Sequence, residues 1–179
     1  MTVPLHFGTV LNELFKHESV TQVYEKGDFL IREGEVESNL YFIESGAVRV
    51  LLLTEFEEHT IRIGYKGSVI NSLSSYLRQA PSEFFIEVLR KTSVKKITRS
   101  AIERVIQNDA ASAMAYTRML EELVTQQIDR EIDILTGIPK TRLDRVLKRS
   151  PDLFQEVPLK YIASYLRMTP ETLSRLRNS

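Results

Sequence analysis

From Asp109 to about Thr136 the chain carries neither Gly nor Pro, and that stretch divides it in two. Within it Met114, Leu120, Leu123, Val124, Ile128, Ile132 and Leu135 recur at spacings of three and four, the period of one face of an α-helix. An apolar stripe of this length needs a partner. Its own chain could supply one, and so could the same helix of a second copy, as in a parallel coiled coil. Ala113, Thr117, Gln127 and Glu131 make a poor strict heptad, so spacing leaves both open.

The two sides of this helix differ in texture. From Val20 to about Ile97, short runs rich in Val, Ile, Tyr, Phe and Thr are punctuated by Gly27, Gly34, Gly46, Gly64 and Gly67. Residues 40–43, 47–53, 60–64 and 84–89 read as strands, and turn signals this frequent predict an antiparallel sandwich or barrel. Short helices are expected over residues 7–18, where Val10, Leu11, Leu14 and Phe15 share a face, and over 101–107. Beyond the long helix, Gly137 and Pro139 stop it. Three compact helical segments follow, over 140–150, over 159–166, and from Pro170 to the end. The fold class expected is α+β.

Charge separates the halves too. Residues 137–179 hold nine Lys or Arg against four acids, which leaves 15 against 20 for residues 1–136 although the net charge is zero. An acidic body with a basic end suggests that only the end meets a polyanion. The absence of Cys excludes disulfides, thiolate metal sites, iron–sulfur clusters and Cys nucleophiles. The first residues lack the pattern of a secretory leader, and no apolar run reaches membrane-spanning length. A cytoplasmic protein with no membrane partner is therefore expected.

The last twenty residues carry the sharpest pattern. Two short helices meet across Arg167, Met168 and Thr169. Thr169 suits an N-cap and Pro170 a first helical position, so the second helix starts crisply. Ile162, Ala163 and Leu166 would face Leu173 and Leu176, with Ala163 small enough for a close crossing. This is the helix-turn-helix pattern, whose second helix enters the major groove of double-stranded DNA. Its polar positions are Glu171, Thr172, Ser174, Arg175 and Asn178. Arg can clamp guanine and Glu can accept from cytosine. An ordinary i,i+4 ion pair between Glu171 and Arg175 is the competing reading.

Nearly the whole chain resembles the Crp/Fnr superfamily of bacterial regulators, particularly the short members common in Bacteroidetes-type genomes. Residues 27–34, 41–43 and 45–50 resemble the glycine framework of the cyclic-nucleotide-binding barrel, and residues 161–176 resemble the family's DNA-reading unit. The resemblance implies a jelly-roll sensor over residues 1–108, a dimerisation helix over 109–136, and a DNA-binding helix-turn-helix over 137–179. The sequence ends at Ser179, so the resemblance implies a reader without a β-hairpin wing. By analogy with the oxygen-responsive branch, Glu171, Ser174 and Arg175 contact the operator. Thr169, Pro170 and Thr172 lie beside them, and Lys160, Arg167 and Arg177 are candidate phosphate contacts. A homodimer is implied, and RNA polymerase is a candidate partner.

The input end departs from that family. Relatives hold cyclic AMP with a Gly-Glu pair on the ribose and an Arg-Ser pair on the phosphate. Those positions fall at Asn71-Ser72 and Ser82-Glu83. Without the guanidinium a buried phosphate loses its bidentate partner, so no cyclic nucleotide cofactor is expected. An unidentified small-molecule effector could still use Tyr65, Asn71, Ser72, Ser82, Glu83 and Gln127, unless side chains simply fill the pocket. The functional alternative is a small-molecule sensor with little or no DNA binding. Enzymatic activity is not expected. His6, His17 and His59 are scattered, which removes the metal cluster of a cupin enzyme and an obvious haem ligand, and no P-loop or nucleophile elbow is present.

Overall fold

The computed structural model describes Phe15 and residues 19–178. The helix expected over 7–18 lies outside the described residues except at Phe15, which is helical and buried. Eight strands follow: β1 (Val20–Tyr24), β2 (Phe29–Ile31), β3 (Asn39–Ser45), β4 (Ala47–Leu53), β5 (Glu58–Tyr65), β6 (Val69–Ile70), β7 (Phe85–Val88) and β8 (Thr92–Thr98). They form two antiparallel four-stranded sheets, ordered β1-β8-β3-β6 and β2-β7-β4-β5. Ile43 and Val94 from one sheet and Val48, Val50, Ile86 and Val88 from the other close the jelly-roll core between them. The fold is α+β with this barrel at its N-terminal end.

Gly46 is the corner where the chain changes sheet. Its φ of +93°, and a Cβ that would stand 2.2 Å from Thr92 Oγ1 and 2.6 Å from the Lys91 carbonyl, leave room for no side chain. Thr92 fastens the corner, its hydroxyl accepting from the Ala47 amide at 3.1 Å and donating to the Arg90 carbonyl at 2.7 Å.

Helix α1 (Leu73–Arg78) lies between β6 and β7. Helix α2 (Arg99–Asn108) is capped by the Thr98 hydroxyl, and the long helix α3 (Ala110–Leu135) by Asp109, whose carboxylate accepts from the Ala111 and Ser112 amides. Helix α3 shows two faces. Ala115, Met119 and Leu123 join the core with Phe15, Leu40, Ile97 and Ile102, while Met114, Val124, Ile128, Ile132 and Leu135 stand exposed.

Four more helices complete the chain: α4 (Pro139–Arg149), α5 (Leu153–Glu156), α6 (Leu159–Tyr165) and α7 (Pro170–Arg177). The sequence pattern shows all but the single turn α5. Leu143, Val146, Leu153, Ile162, Ala163, Leu166 and Leu173 form their core, which runs on into Ala47, Leu89, Ile63 and Tyr65 of the barrel. Asp133, fully buried at the end of α3, receives hydrogen bonds from Arg145 at 2.8 Å and from Arg149. Arg142 donates to the carbonyls of Thr136, Leu166 and Arg167, and so ties the end of α3 to the turn before α7.

Candidate functional site

The turn between α6 and α7 is built as a rigid corner. Arg167 adopts φ +53°, and the Met168 amide returns to the Ala163 carbonyl at 3.1 Å. The Thr169 side chain then accepts from the Thr172 amide at 3.2 Å, and Pro170 occupies the first turn of α7. Leu173 is fully buried against Ile162, Ala163 and Leu166, which fixes how α7 is rotated. Its opposite face is left in solvent.

Glu171, Ser174 and Arg175 are all exposed on that face, with Thr169 and Pro170 at its head and Thr172 half-buried. Hydrogen bonds from its own amide and then from Thr169 hold the Glu171 carboxyl below the usual carboxylate range, so it is an ionised acceptor at neutral pH. The candidate phosphate contacts surround this face. Lys160 and Arg177 are exposed and lie over the rings of Tyr161 and Phe154, at 4.6 and 5.0 Å. Arg167 is exposed too, but its guanidinium stands 2.6 Å from His59 Nδ1 on β5. It is engaged with the barrel.

Other polar contacts join these helices to the barrel. The Thr60 amide donates to Ser164 Oγ at 3.0 Å. Arg49, held by Glu58 and Glu87 at 2.6 Å each, stacks on Tyr161, while Arg90 pairs with Glu156. Helix α6 is thus seated on β5, and α7 faces outward.

The proposed effector residues do not all come together. Asn71, Ser72 and Ser82 are buried side by side in the β6–β7 connection, where Ser72 Oγ and Ser82 Oγ share a hydrogen bond at 2.8 Å. This contact joins the two positions that the resemblance to cyclic-nucleotide-binding relatives sets at the ribose and the phosphate. Glu83 is exposed beside them. Tyr65 instead packs in the cluster with the C-terminal helices, because β5 turns that face outward. Gln127 is exposed; its neighbour Gln126 faces the barrel and accepts from Arg62 at 3.2 Å.

Glu37, like Asp133, is a buried acid that nothing in the sequence marks. Glu37 Oε1 accepts from the Asn39 amide at 2.9 Å, and Oε2 stands 3.5 Å from the Ser72 amide. Burial pushes its carboxyl up to about 7, against the opposing pull of these amides. Lying among polar neighbours in a loop, it reads as a solvated charge. The Asn71 amide, also buried, has no hydrogen-bond partner among the described residues.

Residues 21–109 match the family model described as Cyclic nucleotide-binding domain, so the barrel carries that domain's fold. The chain is 30% identical over 102 residues to the anaerobic regulatory protein of Bacillus subtilis, covering 56% of this chain and 43% of that one. It is 33% identical over 84 residues to a cAMP-dependent protein kinase regulatory subunit of Blastocladiella emersonii, covering 46% and 21%. The chain therefore spans less than half the length of these curated relatives. Among solved structures, FixK2 from Bradyrhizobium japonicum superposes with a TM-score of 0.76 at 22% identity, over 89% of this chain and 83% of that one. That likeness extends the shared fold beyond the barrel to the C-terminal helices. Among the described residues no helix is long and apolar enough to cross a membrane.

Proposed function

We propose that this chain is a DNA-binding transcriptional regulator of Crp/Fnr type that acts in the cytoplasm as a homodimer on a palindromic operator. The carrying observation is α7, whose buried Leu173 and Thr169 cap fix its orientation while Glu171, Ser174 and Arg175 face solvent. Arg175 suits the two acceptors of guanine and ionised Glu171 the amino group of cytosine. Lys160 and Arg177 add phosphate contacts, and Arg167 joins them once it leaves His59.

The division of labour follows: residues 1–108 sense, 109–136 dimerise, and 137–179 read DNA. Exposed Val124, Ile128, Ile132 and Leu135 on α3 supply the dimer stripe, which places the two α7 helices for half-sites about one helical turn apart. The effector is not a cyclic nucleotide. This reading is supported by the sequence, which has Ser82-Glu83 where relatives carry the Arg-Ser pair for the phosphate, and by the mutual hydrogen bond of Ser72 and Ser82. No catalytic role is assigned, and RNA polymerase is the candidate partner of the DNA-bound form.

In vitro selection of bound DNA by the purified chain tests the reading, with and without cell extract. A palindromic motif supports it; no enrichment under either condition overturns it, and extract dependence would reveal an effector.

A further inference from the structure

The junction of barrel, long helix and C-terminal helices contains two cations that form no ion pair among the described residues. Arg130, on α3, is 3% exposed, and none of its three side-chain nitrogens has a hydrogen-bond partner among the described residues. Its guanidinium lies over the ring of Tyr165 of α6, 4.0 Å from the centroid. Arg62, on β5, is half-buried and among the described residues donates to the amide oxygen of Gln126 alone, one helical turn before Arg130. Neither forms an ion pair among the described residues. The other cations nearby are already engaged: Arg145 and Arg149 with Asp133, and Arg142 with backbone carbonyls. Burial lowers the affinity of both Arg62 and Arg130 for their protons, as expected where a charge lacks compensation.

An uncompensated guanidinium in a protein interior is costly, and replacing it with an apolar side chain would relieve that cost. Stacking on Tyr165 offsets only a small part. A second copy of the chain cannot supply the missing anion, because Arg130 is enclosed within its own chain while the stripe available for dimerisation lies on the exposed face of α3.

We propose that Arg62 and Arg130 form a binding site for a small oxyanion, a carboxylate or a phosphate, at the junction between the barrel and the DNA-reading helices. The two guanidinium groups donate to the oxyanion, and Tyr165 is the wall that must move to admit it. Tyr165 adjoins Ser164, whose hydroxyl accepts from the Thr60 amide, so entry of the anion loosens α6 from β5. Helix α7 is carried with α6 through the shared Leu173 contact. The regulatory meaning rests on the DNA-reading proposal, but the binding does not.

The test uses the full chain without DNA. Thermal unfolding and calorimetric titration are run with inorganic phosphate, citrate and succinate against sodium chloride at equal ionic strength. A saturable rise in melting temperature with phosphate or with a carboxylate is expected, and which arm responds identifies the chemistry. In Arg130→Met the affinity should fall at least about tenfold, the loss of one charge-assisted pair. The same variant should melt no lower than the parent in chloride. Arg62→Met, at a half-buried position, serves if Arg130→Met does not fold. Arg175→Ala, which removes a cation from α7, should bind the anion as the parent does. No response to any oxyanion, or an equal response in the parent and both Met variants, would overturn the proposal. Failure of the DNA selection with anion binding intact would instead strike the DNA reading alone.

Discussion

Glu37 shows how a single residue can set a pH dependence. Its carboxyl titrates near 7 in the fold against an ordinary value of 4.5, so the folded chain holds the proton more tightly than the unfolded one. The stability it contributes is full below about 4.5 and is lost as pH rises through about 7. The melting temperature of the parent should therefore decline across that window, and Glu37→Gln should flatten the decline. Equal slopes in the two proteins, measured by circular dichroism, would contradict the assignment. The sequence did not reveal this residue, since a carboxylate beside Ser38 and Asn39 looks solvated until the β6–β7 connection folds over it. Arg130, Asp133 and Arg142 were hidden for the same reason. Burial of a charge is decided by what packs across it, and that partner lies far away in sequence.

At the scale of elements, local chemistry wrote its boundaries plainly. The Thr169 cap, Pro170 at the head of α7, and the break at Gly137 and Pro139 all act within one turn, and the helices begin and end there. Strand pairing is non-local, and the change of sheet at Gly46 could be read only as a turn. Helix α1 stayed hidden because six residues including two serines show no apolar period. Tyr65, an effector candidate by residue type alone, packs with the C-terminal helices, while the adjacent Gly64 meets Ile43, Val48 and Ile70 of the barrel core. Helix α3 left two partners open, and its buried face now has one. The exposed face carries the dimer prediction. Val124→Glu combined with Ile128→Glu should weaken self-association about hundredfold, the effect of two interface anchors, while leaving helical content unchanged. Sedimentation velocity over a concentration series reads this directly, and an unaltered dimer would place the interface elsewhere.

The whole molecule couples the barrel to the C-terminal helices through a shared apolar cluster with polar contacts around it. Thr60 to Ser164, His59 to Arg167, Arg49 on Tyr161 and Arg90 to Glu156 all cross from the barrel to the helices. Contacts of this kind can exchange with water, whereas the apolar cluster that also joins β5 to α6 stays shielded from it. Arg167 is engaged with His59 here, and under the DNA-binding proposal it would exchange that contact for a phosphate. Electrostatics should show on DNA as well. Lys160→Ala, which removes one phosphate contact per subunit, should lower the slope of log affinity against log salt by about 2 in a dimer. A slope unchanged from the parent would remove Lys160 from the interface.

The central claim is that the solvent face of α7 reads base pairs. It is tested most directly by measuring the affinity of the parent and of Arg175→Ala for the selected operator and for the same operator with its contacted guanine replaced. The account predicts that Arg175→Ala loses about 1–3 kcal/mol on the operator and no longer distinguishes the two sequences. If the variant binds both as the parent does, with the parent's preference intact, α7 does not read DNA through Arg175.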